Sequence, residues 1–99
     1  MPKRQKGAGE WIRDYLSRVG QASASEIHRN YQEWLQEQDY PTTEFSSTRR
    51  EIWLLKEVGL LQQVREGSLN NPGAYRIAPA ATGNEPAWSD PTAARYGSR

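Results

Sequence analysis

Few side chains in this sequence offer catalytic or metal-binding chemistry. The 99 residues include no cysteine and a single histidine, His28, which excludes disulfides, thiolate metal sites and a cysteine nucleophile and leaves His28 without a partner for zinc. No spacing brings a nucleophile, a base and an acid together, and phosphate-loop and dinucleotide signatures are absent. We therefore predict that the chain is not an enzyme, that it uses no cofactor and no metal, and that His28 has a structural role.

The basic side chains point to a different chemistry, the recognition of nucleic acid. Ser46, Ser47, Arg49 and Arg50 lie close together in the sequence. An arginine can bond a guanine edge through two hydrogen bonds, and a serine hydroxyl can bond a phosphate or a base. The competing interpretation is a solvated helix face on which the arginines pair locally with acidic neighbours such as Glu51.

The composition describes one small domain whose basic character is local. Hydrophobic residues make up 35% of the 11.3 kDa chain, the mean hydropathy is −0.94, and no apolar run is long enough to span a membrane. Residues 1–7 form a basic arm, whereas residues 8–78 carry eight basic and ten acidic side chains, a net charge of −2. No apolar run follows the arm, so we do not expect it to act as a secretory signal. The lack of cysteine favours a reducing, cytoplasmic setting.

Hydrophobic spacing predicts the first two helices. Apolar residues recur at intervals of three and four over residues 8–19, and Gly20 can end that helix. Ser23 and Glu26 form a capping box that opens the second helix, which is predicted to end near residue 37 or 38. Aromatic residues on these two helices are expected in the core: Trp11, Tyr15, Tyr31 and Trp34.

The third helix carries the proposed recognition face. It is predicted to begin after an N-cap at Thr43 and to end at Gly59. Steps of 100° per residue give it one packed face, formed by Phe45, Thr48, Ile52, Leu55 and Gly59. Trp53 falls on the opposite side with Arg50. Three roles for Trp53 remain open at this point: packing against the first helix or the hairpin, a homodimer contact, or a contact with the DNA backbone.

A hairpin and a tail complete the chain. The strands Leu60–Arg65 and Gly73–Ile77 are predicted to flank a connection rich in turn-forming residues. Arg65 and Arg76 are expected to project away from the packed side chains, which are Val64, Tyr75 and Ile77. Residues 79–99 contain three prolines and two glycines and are predicted to be a flexible or extended tail, which Trp88 and Tyr96 could pin to the domain or to a partner.

Residues 45–61 resemble the recognition helix and its exit in winged helix-turn-helix regulators. The last seven, LKEVGLL at 55–61, are similar to the family's pattern of a leucine, a few residues, a glycine and two aliphatic residues. The opening of the second helix, residues 23–27, resembles the same family. The resemblance covers about residues 8–78 and implies an α+β, mainly α, winged helix: three helices and a two-stranded hairpin wing, between the arm (1–7) and the tail (79–99).

For function, the resemblance implies sequence-specific binding of double-stranded DNA by a small, cytoplasmic, DNA-associated transcriptional regulator, with a homodimer as a further arrangement to consider. The third helix would read the major groove while the wing and the arm contact the backbone. The implied DNA-binding residues are Ser46, Ser47, Arg49, Arg50, Arg65, Asn70, Asn71, Arg76, Lys3, Arg4 and Lys6. For the two asparagines, turn formation is the main role expected. No membrane or small-molecule partner is expected.

Two alternatives follow from the same residues. The first is a protein-interaction module within a larger assembly, which the net charge of residues 8–78 suits. The second is a binder of RNA or single strands that stacks bases on exposed aromatic rings.

Overall fold

The computed structural model describes residues 7–67, 73–81 and 85–91. In chain order, the elements are α1 (Ala8–Val19), α2 (Ala24–Glu37), α3 (Phe45–Glu57), β1 (Leu61–Arg65), β2 (Ala74–Ile77) and α4 (Glu85–Ser89). The two strands form an antiparallel sheet. The fold is therefore α+β and mainly helical. Within the described ranges, no helix has the length and apolar character needed to cross a bilayer.

The end of α1 and the start of α2 agree with the sequence prediction. Gly20 ends α1 at φ 88°, a left-handed conformation that suits a residue without a side chain. At the start of α2, the Glu26 amide donates to the Ser23 hydroxyl at 3.2 Å, and the Ser23 amide donates to Glu26 Oε1 at 3.0 Å. This reciprocal pair is the predicted capping box, and it satisfies two amides that a helix start leaves without partners.

The start of α3 differs from the prediction by one residue. Its N-cap is Glu44 rather than Thr43. The Thr43 hydroxyl is occupied elsewhere, because it accepts from Gln32 Nε2 at 2.9 Å while the Thr43 amide donates to Gln32 Oε1 at 2.8 Å. A side chain on α2 thus holds Thr43, which explains why it does not cap α3.

The hairpin contains an irregularity that the sequence pattern did not indicate. Leu61 pairs with Ile77 at one end, but the register shifts between Gln63 and Arg65. Val64 lies at this bulge and is 37% exposed, so the prediction that it packs with the sheet's buried side chains was wrong. Tyr75 and Ile77, on β2, do pack partly against the core as predicted.

A backbone bridge connects the hairpin to the α1–α2 connector. The Ala22 amide donates to the Tyr75 carbonyl at 3.1 Å, and the Tyr75 amide donates to the Ala22 carbonyl at 2.9 Å. Ala22 therefore lies beside β2 as a one-residue antiparallel partner. The bridge fixes the hairpin relative to the helices that the connector joins.

The core also receives a side chain from the segment that was predicted to be a flexible or extended tail. Residues 85–89 form α4, and the Trp88 side chain is fully buried, with its indole Nε1–H donating to the Ala81 carbonyl at 3.1 Å. The described part of 79–99 is therefore packed against the domain. Burying a whole indole outweighs the ordering of a five-residue helix that could not stand alone. Tyr96 lies outside the described residues.

Candidate nucleic-acid interface

One face of α3 is buried and the other is open. Thr48, Ile52 and Leu55 are at most 3% exposed, and they turn that side of the helix into the core. The side chains predicted to read DNA all lie at exposed positions on the rest of the helix surface: Ser46, Ser47, Arg49 and Arg50. The helix thus has the apolar and polar sides that the sequence pattern predicted. The exceptions are Phe45, which was expected on the packed face and is 39% exposed, and Gly59, which lies exposed beyond the end of the helix.

Arg49 is held over an aromatic ring. Its guanidinium carbon lies 5.7 Å from the centroid of Phe45, a cation–π distance, and the Phe45 ring lies 5.1 Å from the ring of His28. His28 in turn shares a 2.7 Å hydrogen bond with the Thr48 hydroxyl. These contacts link α2 to α3 and orient one arginine on the open face. They also support the structural role predicted for His28.

A shallow groove of about 120 Å³ runs beside Arg49, between α3 and the hairpin. Trp53, which is 51% exposed, and Lys56 line it on α3, and Tyr75 lines it on β2. Trp53 therefore borders the hairpin without being covered by it. Lys56 follows Arg49 by seven positions, which is two helical turns, so the two side chains lie on the same side of α3. Helical spacing could therefore have predicted Lys56 at this site, although the prediction did not include it.

Arg50 lies next to a half-buried carboxylate. Burial raises the pKa of Glu51, the charge of Asp90 raises it further, and Arg50 partly offsets both. No ion pair to Arg49 or Arg50 is found within the described ranges. The alternative, in which the arginines pair with acidic neighbours, is therefore supported here by the electrostatic attraction between Arg50 and Glu51 but by no ion pair among these residues.

The hairpin arginines are also exposed, but each has a neighbour. Arg76 Nε donates to Gln62 Oε1, its cross-strand partner, at 2.8 Å. Arg65 acts electrostatically on Glu26 at the start of α2, where hydrogen bonds from Ser23 are the main cause of the lowered pKa of Glu26. Both cations lie on the hairpin as predicted, and Glu26 partly balances the charge of Arg65. The remaining predicted residues lie outside the described ranges: Lys3, Arg4, Lys6, Asn70 and Asn71.

The described residues contain no group of three or more histidine, cysteine, aspartate or glutamate side chains arranged to hold a metal ion. What the geometry brings together is an open helix face with two arginines and two serines, flanked by a groove to which α3 adds Trp53 and Lys56. Such an arrangement can bind phosphates and base edges. Comparison of the chain with protein-family models, with curated proteins and with solved structures gave no match.

Proposed function

We propose that this chain is a winged-helix protein that binds double-stranded DNA with sequence specificity, as a small cytoplasmic transcriptional regulator. In this proposal α3 enters the major groove, and Arg49 and Arg50, with Ser46 and Ser47, contact base edges and nearby phosphates. The hairpin serves as the wing, from which Arg76 contacts the backbone. The arm and the hairpin tip supply further contacts.

The observation that carries this proposal is the open basic face of α3. Arg49 and Arg50 are both exposed, and no ion pair to a carboxylate in the described ranges occupies them. The described part of the hairpin borders the helix at the groove that Trp53 and Arg49 line, and does not bury either arginine. A helix with such a face fits the width of the major groove, and each good arginine–guanine pair contributes about 1–3 kcal/mol of discrimination.

The order of elements supports the winged-helix part of the proposal. Three helices precede the hairpin, and Ala22 in the α1–α2 connector pairs with Tyr75 of β2. A short strand between the first two helices that joins the wing is compatible with that architecture.

Selection of bound duplexes from a random pool tests this function, followed by titration of the enriched sequence at several salt concentrations. We expect an enriched motif and an affinity that falls as salt rises. The variants R49A and R50A should each bind the motif about tenfold or more weakly. The matched control is R29A, which removes an exposed arginine from α2 and should have little effect. Paired half-sites in the motif would indicate a homodimer.

Three results would oppose the proposal. One is the absence of duplex binding even at low salt, which would favour the protein-interaction alternative. Another is a loss of affinity in R29A equal to that in R49A and R50A, which would show that binding depends on general charge attraction. The third is stronger quenching of tryptophan fluorescence by single strands than by duplex, since Trp53 is exposed enough to stack on a base.

A further inference from the structure

We infer that a second surface, the groove between α1 and α2, binds a lysine or arginine side chain from a basic segment of a partner protein. The groove encloses about 230 Å³, and among the described residues its lining comes from these two helices. The described parts of α3 and the hairpin do not line it. The inference is therefore independent of the proposed DNA-binding function.

The walls of this groove belong to a continuous chain of aromatic rings. Trp11 stacks on Tyr15 with centroids 5.0 Å apart and contacts Tyr31 at 5.1 Å. Tyr31 then stacks on Trp34 at 6.1 Å, and the rings of Trp34 and Tyr40 are T-shaped with centroids 5.7 Å apart. Because two neighbouring rings contact Trp34, this half-buried indole is held in place. Aromatic surfaces attract cations and also accept the apolar stem of a lysine or arginine side chain.

Two carboxylates border the same groove at the end of α2. Glu33 and Glu37 are exposed, stand one turn apart and line the groove with Trp34. Neither forms a hydrogen bond or an ion pair within the described part of the chain. They can therefore accept hydrogen bonds from an incoming cation and attract its positive charge.

The position of these carboxylates makes an added positive charge favourable. Like charges four positions apart on a helix repel each other. The carboxyl end of a helix also carries partial negative charge, and the last turn of α2 contains no basic residue. Glu33, Glu37 and the carboxyl end of the helix thus concentrate negative potential here, and the arginine of α2, Arg29, lies a full turn before Glu33. A lysine or arginine from a partner would relieve this negative potential.

Arg18 determines which part of the groove the incoming cation uses. Its guanidinium carbon lies 5.8 Å from the Tyr15 centroid, so this chain's own cation already occupies that ring. The Tyr15 hydroxyl accepts from Asn30 Nδ2 at 3.1 Å, which fixes the ring. A second cation is repelled from Arg18 and directed towards Glu33 and Glu37. The basic segment of the partner is therefore expected to place one of its side chains beside Glu33 and Glu37, away from Arg18.

A hexalysine peptide, followed by NMR of the four tryptophan indole N–H signals, tests this inference on the full-length chain. Hexaglutamate is the reference peptide of opposite charge. The variant Trp34→Phe assigns the Trp34 signal. We expect hexalysine to shift that signal more than the signal of Trp53, and we expect hexaglutamate to leave it in place.

The double variant Glu33→Gln/Glu37→Gln should weaken hexalysine binding about fivefold or more, because two contacts to charge are lost. The matched control, Glu44→Gln/Glu66→Gln, removes two exposed carboxylates outside α2 and should change the affinity less than about twofold. Circular dichroism establishes that both variants fold. The absence of hexalysine binding, an unmoved Trp34 signal, or equal weakening in the control would each overturn the inference.

Discussion

Gly9 on α1 lies directly against the backbone carbonyl of Trp88 on α4, so that a Cβ added to Gly9 would overlap this carbonyl. The Trp88 side chain fills the core on the other side of this contact and is fully buried. The close approach of the two helices therefore depends on the missing side chain at position 9. A backbone atom forms the obstacle, which makes the contact hard to relieve by a change of rotamer.

We predict that Gly9→Ala destabilises the protein by about 1–3 kcal/mol, since overpacking displaces α4. The direction of this change in stability is informative, because alanine in a helix is ordinarily about 0.5–1 kcal/mol more favourable than glycine. Urea unfolding measures the effect. As a control, Gly7→Ser adds a side chain where nothing lies within 4 Å and should change the stability little. An increase in stability for Gly9→Ala would mean that α4 does not pack against α1 in this way.

A second prediction concerns neighbouring positions on α3. Ile52→Ala should destabilise by about 2–5 kcal/mol, the usual cost of truncating a buried aliphatic side chain, because Ile52 is 2% exposed. Trp53→Ala removes a larger side chain but should cost about 1 kcal/mol or less, since Trp53 is 51% exposed. Thermal melts of the two variants make the comparison. A larger loss from Trp53 would show that the helix is rotated from the orientation described.

The capping box at the start of α2 leads to a prediction about pH. The Ser23 amide and hydroxyl hydrogen bonds lower the pKa of Glu26 below its ordinary value of 4.5. Ionised Glu26 therefore stabilises the fold above the unfolded-state pKa, and this contribution is lost as the pH falls through the lower folded-state pKa. Glu26→Gln should be less stable than the parent at neutral pH, and the difference should shrink in acid. Urea titrations at several pH values test this, with Glu66→Gln as the exposed control.

Glu51 is predicted to behave in the opposite way. Burial is the main cause that raises its pKa above 4.5, with Asp90 adding to it and Arg50 opposing it. As the pH rises, Glu51 ionises in the unfolded chain before it ionises in the folded protein. Stability is therefore lost as the pH rises from the ordinary pKa through the higher folded-state pKa. Glu51→Gln should therefore be more stable than the parent at neutral pH and lose this advantage below pH 4.5. A less stable variant at neutral pH would show that attraction to Arg50 dominates.

The helices were predictable because their signals are local. Apolar spacing defined α1, and the reciprocal bonds of Ser23 and Glu26 fixed the start of α2. The open face of α3 followed from helical geometry. The cap at Glu44 was missed, because Gln32 holds Thr43 from another helix and no local rule contains that contact.

Features that depend on distant parts of the chain were not predictable from local pattern. The sequence left open whether Trp88 packs on the domain or on a partner, because its burial depends on contacts with distant residues, such as that of its backbone carbonyl with Gly9. The exposure of Val64 follows from a bulge whose position the alternating pattern does not fix. The groove beside Trp53 includes Tyr75 from β2, so helical spacing could predict only the side of the groove that α3 forms.

The bridge between Ala22 and Tyr75 has a consequence for how the molecule assembles. Helices can form early from neighbouring residues, whereas a contact between such distant positions must wait for most of the chain to collapse. A two-stranded hairpin is marginal by itself, so its docking is expected to be among the late, rate-limiting events of folding. Substitutions at Ala22 that disturb this pairing should slow refolding more than equally destabilising substitutions within α1.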